Sequence, residues 1–101
     1  MYRGTTPTNT ITSDVDLRDM RVYVTYQQNK VNVIEKTNEG ISIESDKVLI
    51  PLTQADTLKL DPRHGVLVQI RAITASGVTI ASNVMQTTVE DILKDGEIAY
   101  A

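Results

Sequence analysis

Residues 20–27 read MRVYVTYQ, a run in which apolar and polar side chains alternate without a break. Val22, Val24 and Tyr26 fall on one side of an extended chain. The positions between them are Arg21, Tyr23, Thr25 and Gln27. Side chains two residues apart share a face of a strand but not of a helix, so this run predicts a strand with one buried face.

The flanking sequence extends this strand into a series. Gln28-Asn29-Lys30 predicts a tight turn, and residues 31–36 return as the second strand of a hairpin. Similar patterns predict strands at residues 8–12, 41–44, 47–52, 66–74, 78–81 and 84–89. Pro51 lacks an N–H and is therefore expected at a sheet edge or at the exit of its strand.

One segment departs from the strand pattern. In residues 53–60, TQADTLKL, Thr53 can cap a short helix, and Asp56 follows three residues later as a capping-box partner. We expect Leu52 and Leu58 to cover one end of the core from this crossover.

About seven or eight short strands, with a turn about every eight to twelve residues, are typical of a β-sandwich or a small barrel. The prediction is an all-β fold, specifically an immunoglobulin-like antiparallel β-sandwich with one short helical crossover near residues 53–60. We expect an extended N-terminal arm at residues 1–9, the sandwich at 10–90 and a C-terminal tail at 91–101. The tail is predicted to contain a brief helical turn anchored by Ile92, Leu93 and Ile98.

Composition narrows the classes of partner. The 101 residues carry a net charge of −3 and have no Cys, Phe or Trp. Basic residues are scattered among acidic ones, which argues against nucleic-acid binding. No apolar run approaches the length of a membrane span or a signal peptide, so no membrane partner is expected. The lack of Cys fits folding in a reducing cytosol.

The sequence contains few residues that could carry out catalysis or bind a cofactor. His64 is the only His, and without Cys or a second His it is read as a solvated loop residue rather than a general base or metal ligand. No Ser lies in a nucleophile elbow, and the five Gly form no phosphate loop. We expect no enzymatic activity, no cofactor, no metal and no small-molecule substrate.

The acidic residues allow two alternatives. Asp14 and Asp16 could begin a calcium site, but the Gly and downstream Glu of a full calcium loop are missing, so ordinary turn chemistry is the favoured interpretation. Catalytic carboxylate pairs need a cleft between them, and a domain of this size offers little. The pairs that such a cleft would need are Glu44 with Asp46 or Glu90 with Asp91.

Three stretches carry a family resemblance: RGTTPTNTITS at residues 3–13, LTQADTLKLDP at 52–62 and ILKDGEI at 92–98. With a Tyr-x-Gln-x strand end at residues 26–29 and a Gln-x-Arg strand at 69–71, the chain resembles small proteins of tailed phages and prophages of Gram-positive bacteria. The match is collinear and covers nearly the whole chain. The N-terminal stretch RGTTPT, residues 3–8, is similar to the start of N-terminal domains of baseplate upper proteins.

The resemblance implies a tail or baseplate component of a virion, folded in the host cytoplasm, with other virion proteins and copies of itself as partners. A polar arm can add a strand to a neighbour's sheet, and its candidate residues are Arg3, Thr5, Thr6 and Pro7. Tyr23 and Tyr100 are further candidate contacts. Each of these expectations has an alternative. Tyr23 could serve only as a cross-strand packing partner, and the arm could be disordered. The domain as a whole could be a surface-recognition module for host glycan or protein.

Overall fold

The computed structural model describes all residues, Met1–Ala101, and is mostly β, as predicted. A short 3₁₀ helix covers Asn38–Gly40, and one α-helix, α1, covers Gln54–Leu58. The strands are β1 (Thr8–Thr12), β2 (Arg21–Gln28), β3 (Val31–Thr37), β4 (Ser42–Ile43), β5 (Lys47–Pro51), β6 (Val66–Ile73), β7 (Thr79–Ala81) and β8 (Met85–Thr87).

The strands form two antiparallel sheets. The first has the order β1-β5-β4, and the second has the order β3-β2-β6-β7, with β8 also paired to β6. One edge of β6 therefore bonds to β2, while its other edge bonds first to β8 and then to β7. The chain crosses between the sheets before β2, before β4 and, through α1, before β6.

The alternation in β2 positions the core as predicted. Val22, Val24 and Tyr26 are fully buried, whereas Tyr23, between them, lies on the outer face of the sheet. A single cluster of 15 buried residues fills the space between the sheets, and Tyr26 is its only aromatic member. Every buried side-chain nitrogen and oxygen has a hydrogen-bond partner.

Pro51 occupies the last position of β5, which is the central strand of its sheet rather than an edge. The Glu44 N–H bonds to the Lys47 carbonyl, so alternate residues of β5 direct their main-chain groups to β4, and Pro51 is one of them. Because β4 begins only at Ser42, which pairs with Leu49, no strand faces the missing N–H of Pro51. The strand-exit alternative therefore fits, and the edge alternative is wrong.

Two amide side chains replace missing backbone partners at turns. The Gln28 amide donates to the carbonyls of Asp61 and His64 and accepts from the Asp61 N–H at 2.8 Å. The Asn38 amide donates to the Met20 carbonyl and accepts from the Val22 N–H. These side chains fix loops that otherwise would leave main-chain groups unsatisfied.

The capping box predicted for α1 is present. Thr53 Oγ1 accepts from the Asp56 N–H at 3.1 Å, and Asp56 Oδ2 accepts from the Thr53 N–H at 2.9 Å. The same carboxylate pairs with the Lys36 ammonium at 2.7 Å, which ties α1 to β3. Burial raises the pKa of Asp56, but the hydrogen bonds from Lys36 and Thr53 outweigh it and leave that pKa below its usual value.

The tail does not form the predicted helical turn. Leu93 is fully exposed and Ile98 is 59% exposed, and only Ile92 of the three predicted anchors is half-buried. Two local features oppose a helix: the Asp91 carboxylate accepts the Ile92 N–H, and Gly96 has a φ of 84°.

Candidate interaction surfaces

The N-terminal segment lies against its own chain. The Arg3 N–H bonds to the Glu90 carbonyl at 2.9 Å, and the Glu90 N–H bonds to the Met1 carbonyl at 2.8 Å. Tyr2 and Glu90 thereby form a parallel bridge. These main-chain groups, which the sequence assigned to a neighbour's sheet, are bonded within the chain in this structure.

The Arg3 guanidinium connects three parts of the chain. It donates to the carbonyl oxygens of Leu58, the last residue of α1, and of Leu60, just after the helix, at 3.2 and 3.1 Å. Nη1 also pairs with the carboxylates of Asp91 and Asp95 at 2.9 and 3.3 Å. Arg3 therefore binds residues of its own chain, where the sequence alone suggested a contact with another protein.

The neighbouring arm residues follow the same path. The Thr5 carbonyl accepts from the buried Thr57 hydroxyl at 2.9 Å, and the Pro7 carbonyl accepts from the Leu52 N–H at 2.9 Å. Thr6 is exposed, and its side chain forms no hydrogen bond. The structure therefore brings Arg3, Thr5 and Pro7 together beside α1.

Tyr23 lies apart from this segment, in a shallow groove of about 530 Å³ on the outer face of the second sheet, which we call the outer-face groove. Tyr23 pairs in register with Arg71 of β6, and Glu35 and Gln69 also line the groove. Tyr23 is 48% exposed, and Arg71 is exposed and belongs to no ion pair.

Tyr100 lies in the tail and is completely exposed. The tail is fixed near α1 by a pair of hydrogen bonds, in which the Gln54 amide accepts from the Ile98 N–H at 2.8 Å and donates to the Ile98 carbonyl at 3.0 Å. Tyr100 does not line the outer-face groove, and no side chain covers it.

A second groove, absent from the sequence predictions, lies between β1 and the β7–β8 edge, where the two sheets separate. We call it the open-edge groove. Its larger part has a volume of about 400 Å³, and a smaller part of about 170 Å³ continues it along β1. Its apolar lining includes Ile11, Leu17, Ile70, Ile80 and Met85. Each of these residues resembles an ordinary core position in the sequence, and only the gap between strand edges makes them a groove.

The candidate metal ligands and the single His do not come together in a site. Acidic and His side chains nowhere form a group of three or more that could hold a metal ion. Arg18 donates to both carboxylate oxygens of Asp16, and this hydrogen bonding lowers the pKa of Asp16. His64 lies in an exposed loop, with Nε2 at 4.0 Å from Asp61 Oδ2.

Comparisons of the chain with models of known families, with curated proteins and with solved structures find no match. None of its helices has the length and apolar character needed to cross a membrane.

Proposed function

We propose that this chain is a non-enzymatic structural protein of a tailed phage or prophage, located in the tail or baseplate. It acts through contacts with other virion proteins and with copies of itself. The collinear motifs at residues 3–8 and 52–60 support the assignment to a virion. The exposed surface of the chain supports action through protein–protein contacts.

The observation that carries the proposal is the size of this surface. The accessible area is 6611 Å². A folded monomer of the same mass exposes about 5,700 Å², so this chain exposes roughly 900 Å² more. Each partner in a standard protein–protein interface buries about 800 Å². The excess is therefore as large as one interface.

The composition of the surface agrees with its size. Large apolar side chains are exposed at both ends of the chain and along its strands and loops. They are Tyr2, Val15, Tyr23, Val31, Leu67, Val78, Val84, Leu93, Ile98 and Tyr100. Single exposed apolar residues are ordinary, but two fully exposed ones in one extended tail, Leu93 and Tyr100, favour burial against another protein.

We also propose that the sandwich is immunoglobulin-like, and the strand order supports this. In immunoglobulin lettering, β1, β5 and β4 take the places of strands B, E and D, and β3, β2, β6 and β7 take those of C′, C, F and G. No strand takes the place of A, so β1 is an edge strand.

The outer-face groove favours a second candidate function, recognition of a host glycan. An exposed Tyr23 next to an unpaired Arg71, with Glu35 and Gln69 nearby, offers a ring surface and hydrogen-bonding groups of both polarities. Calorimetry against host cell-wall polysaccharide should detect saturable binding that Tyr23→Ala abolishes and that Tyr100→Ala, outside the groove, does not. No binding, or equal binding by both variants, contradicts this candidate.

Mass spectrometry and immunogold microscopy of purified particles test the leading proposal. The chain should be present in particles in fixed ratio to known tail proteins, and gold label should lie on the tail. A chain that is abundant in the lysate but missing from purified particles contradicts a structural role.

A further inference from the structure

The free edge of β1 can accept another strand. The Pro7 carbonyl bonds to the Leu52 N–H and the Ser13 N–H bonds to the Asp46 carbonyl, so odd-numbered residues direct their main-chain groups to β5. In an antiparallel pair the intervening residues face the other way. The main-chain N–H and C=O groups of Thr8, Thr10 and Thr12 therefore face outward, along an edge that no strand covers.

The same edge borders the open-edge groove. Ile11 points inward from β1, and Ile80 and Met85 lie on the opposite wall. The two parts of the groove share Ile11 and Met85, so the groove runs parallel to β1 rather than into the core. A strand added to β1 would place alternate side chains in this groove and the others in solvent.

The tail contains a segment with the matching pattern. Residues 97–101 read EIAYA, in which Ile98 and Tyr100 share one face of an extended chain and small or acidic side chains occupy the other. Tyr100 is completely exposed and Ile98 is 59% exposed, so most of the surface of both apolar side chains is left uncovered by their own chain.

We propose that residues 97–101 of a second copy of this chain add as a strand to the free edge of β1 and insert Ile98 and Tyr100 into the open-edge groove. This inference rests on the proposed assembly function and identifies one partner and one surface for it. In the monomer, Gln54 holds Ile98 beside α1, which is at the Thr8 end of β1. The main part of the groove extends from Ile11 toward Leu17, at the other end of that strand.

The exposed area of the chain is large enough for an interface with a second copy. The exposed surface of the whole chain exceeds that of a typical monomer by roughly 900 Å², which is enough for the about 800 Å² that one partner buries in a standard interface. In a reciprocal pair each copy contributes one groove and one tail, and the interface is then closed and symmetric.

Two single substitutions test the groove and the tail independently. Thr10→Pro removes an outward N–H from β1 without removing a bond to β5, and Pro is tolerated at such edge positions. Ile98→Asp places a charge on the inserted face of the tail and keeps the backbone bonds to Gln54. Val31→Asp is the matched control, since Val31 is exposed to a similar degree, 61%, on the β2–β3 hairpin.

Light scattering after size exclusion, on the full chain from about 1 µM to about 1 mM, measures the association. Thr10→Pro and Ile98→Asp should each weaken self-association by about tenfold or more, and Val31→Asp should leave it unchanged. Thermal unfolding of each variant checks that the monomer fold is intact. A mixture of the two variants should associate better than either alone, because one intact groove then meets one intact tail.

Self-association that neither substitution weakens overturns the inference and leaves the assembly function in place. So does a wild-type chain that stays monomeric throughout while it is present in purified particles. Absence from the particles is a separate result, and it overturns the assembly function itself.

Discussion

The side-chain amide of Asn9 donates a 2.6 Å hydrogen bond to the phenol oxygen of Tyr26, and this bond joins the two sheets. Asn9 belongs to β1 of the first sheet, while Tyr26 belongs to β2 of the second and is fully buried. Burial raises the pKa of Tyr26, so the phenol stays neutral at physiological pH. The largest fully buried side chain is therefore also a polar link across the core.

Removal of this link should cost stability. Tyr26→Phe leaves the Asn9 amide without its acceptor, and we expect a loss of about 1 kcal/mol in the free energy of unfolding. A double-mutant cycle with Asn9→Ala should give a coupling energy of about 1 kcal/mol, measured by urea unfolding. Tyr23→Phe, on the outer face, is the control and should cost little. A coupling energy near zero would show that the bond does not join the sheets energetically.

The close approach of the N-terminal segment to the tail depends on Gly4. Its φ is +71°, and a Cβ atom there would lie 2.9 Å from Cδ1 of Ile92. Gly4→Ala should therefore cost about 1–2 kcal/mol, through both backbone strain and crowding. Gly40→Ala, at ordinary φ and with its nearest atom at 3.4 Å, should change stability by less. Equal effects of the two substitutions in urea unfolding contradict this explanation.

The carboxylate of Asp56 serves both the capping box and the Lys36 ion pair. Asp56→Ala leaves the Thr53 N–H without an acceptor and the partly buried Lys36 ammonium without a counter-ion. We expect a loss of about 2 kcal/mol in unfolding free energy. Asp46→Ala removes an exposed carboxylate that forms no ion pair and is the matched control. If both variants unfold at the same urea concentration, α1 does not depend on Asp56.

These features differ in how far the sequence determines them. The buried face of β2 and the Thr53–Asp56 cap are local, because the residues that interact lie within a few positions of each other. The position of Arg3 is not local, since its partners lie 55 to 92 residues away and are in part backbone carbonyls that have no sequence signature. Sequence patterns therefore predict an extended arm from the polar N-terminal segment.

The open-edge groove also could not be predicted from sequence patterns. Ile11 and Ile80 follow strand alternation whether or not a neighbouring strand covers them. Whether two strand edges meet depends on the relative placement of the sheets, which local periodicity does not encode. The exposure of Leu93 is similar, because the pattern shows that the side chain is apolar but not whether the chain supplies a partner for it.

Acid should weaken the fold through Glu39, which joins the 3₁₀ helix to β2. Two hydrogen bonds from the Arg21 guanidinium, with one from the Thr37 hydroxyl, lower the pKa of Glu39 from 4.5 to about 2. The folded chain thus binds this proton less tightly than the unfolded chain. The stabilisation is complete above the unfolded pKa of 4.5 and is lost as the pH falls toward about 2.

The Glu39→Gln variant should therefore be less stable than wild type at neutral pH, and the difference should shrink to less than half between about pH 6 and about pH 3. Thermal unfolding followed by circular dichroism over this range measures it. Asp46→Asn is the control, since Asp46 is exposed and belongs to no ion pair, and its curve should run parallel to that of wild type. A Glu39→Gln curve that stays parallel to wild type down to about pH 3 would mean that the Arg21–Glu39 pair contributes nothing to the acid sensitivity of the fold.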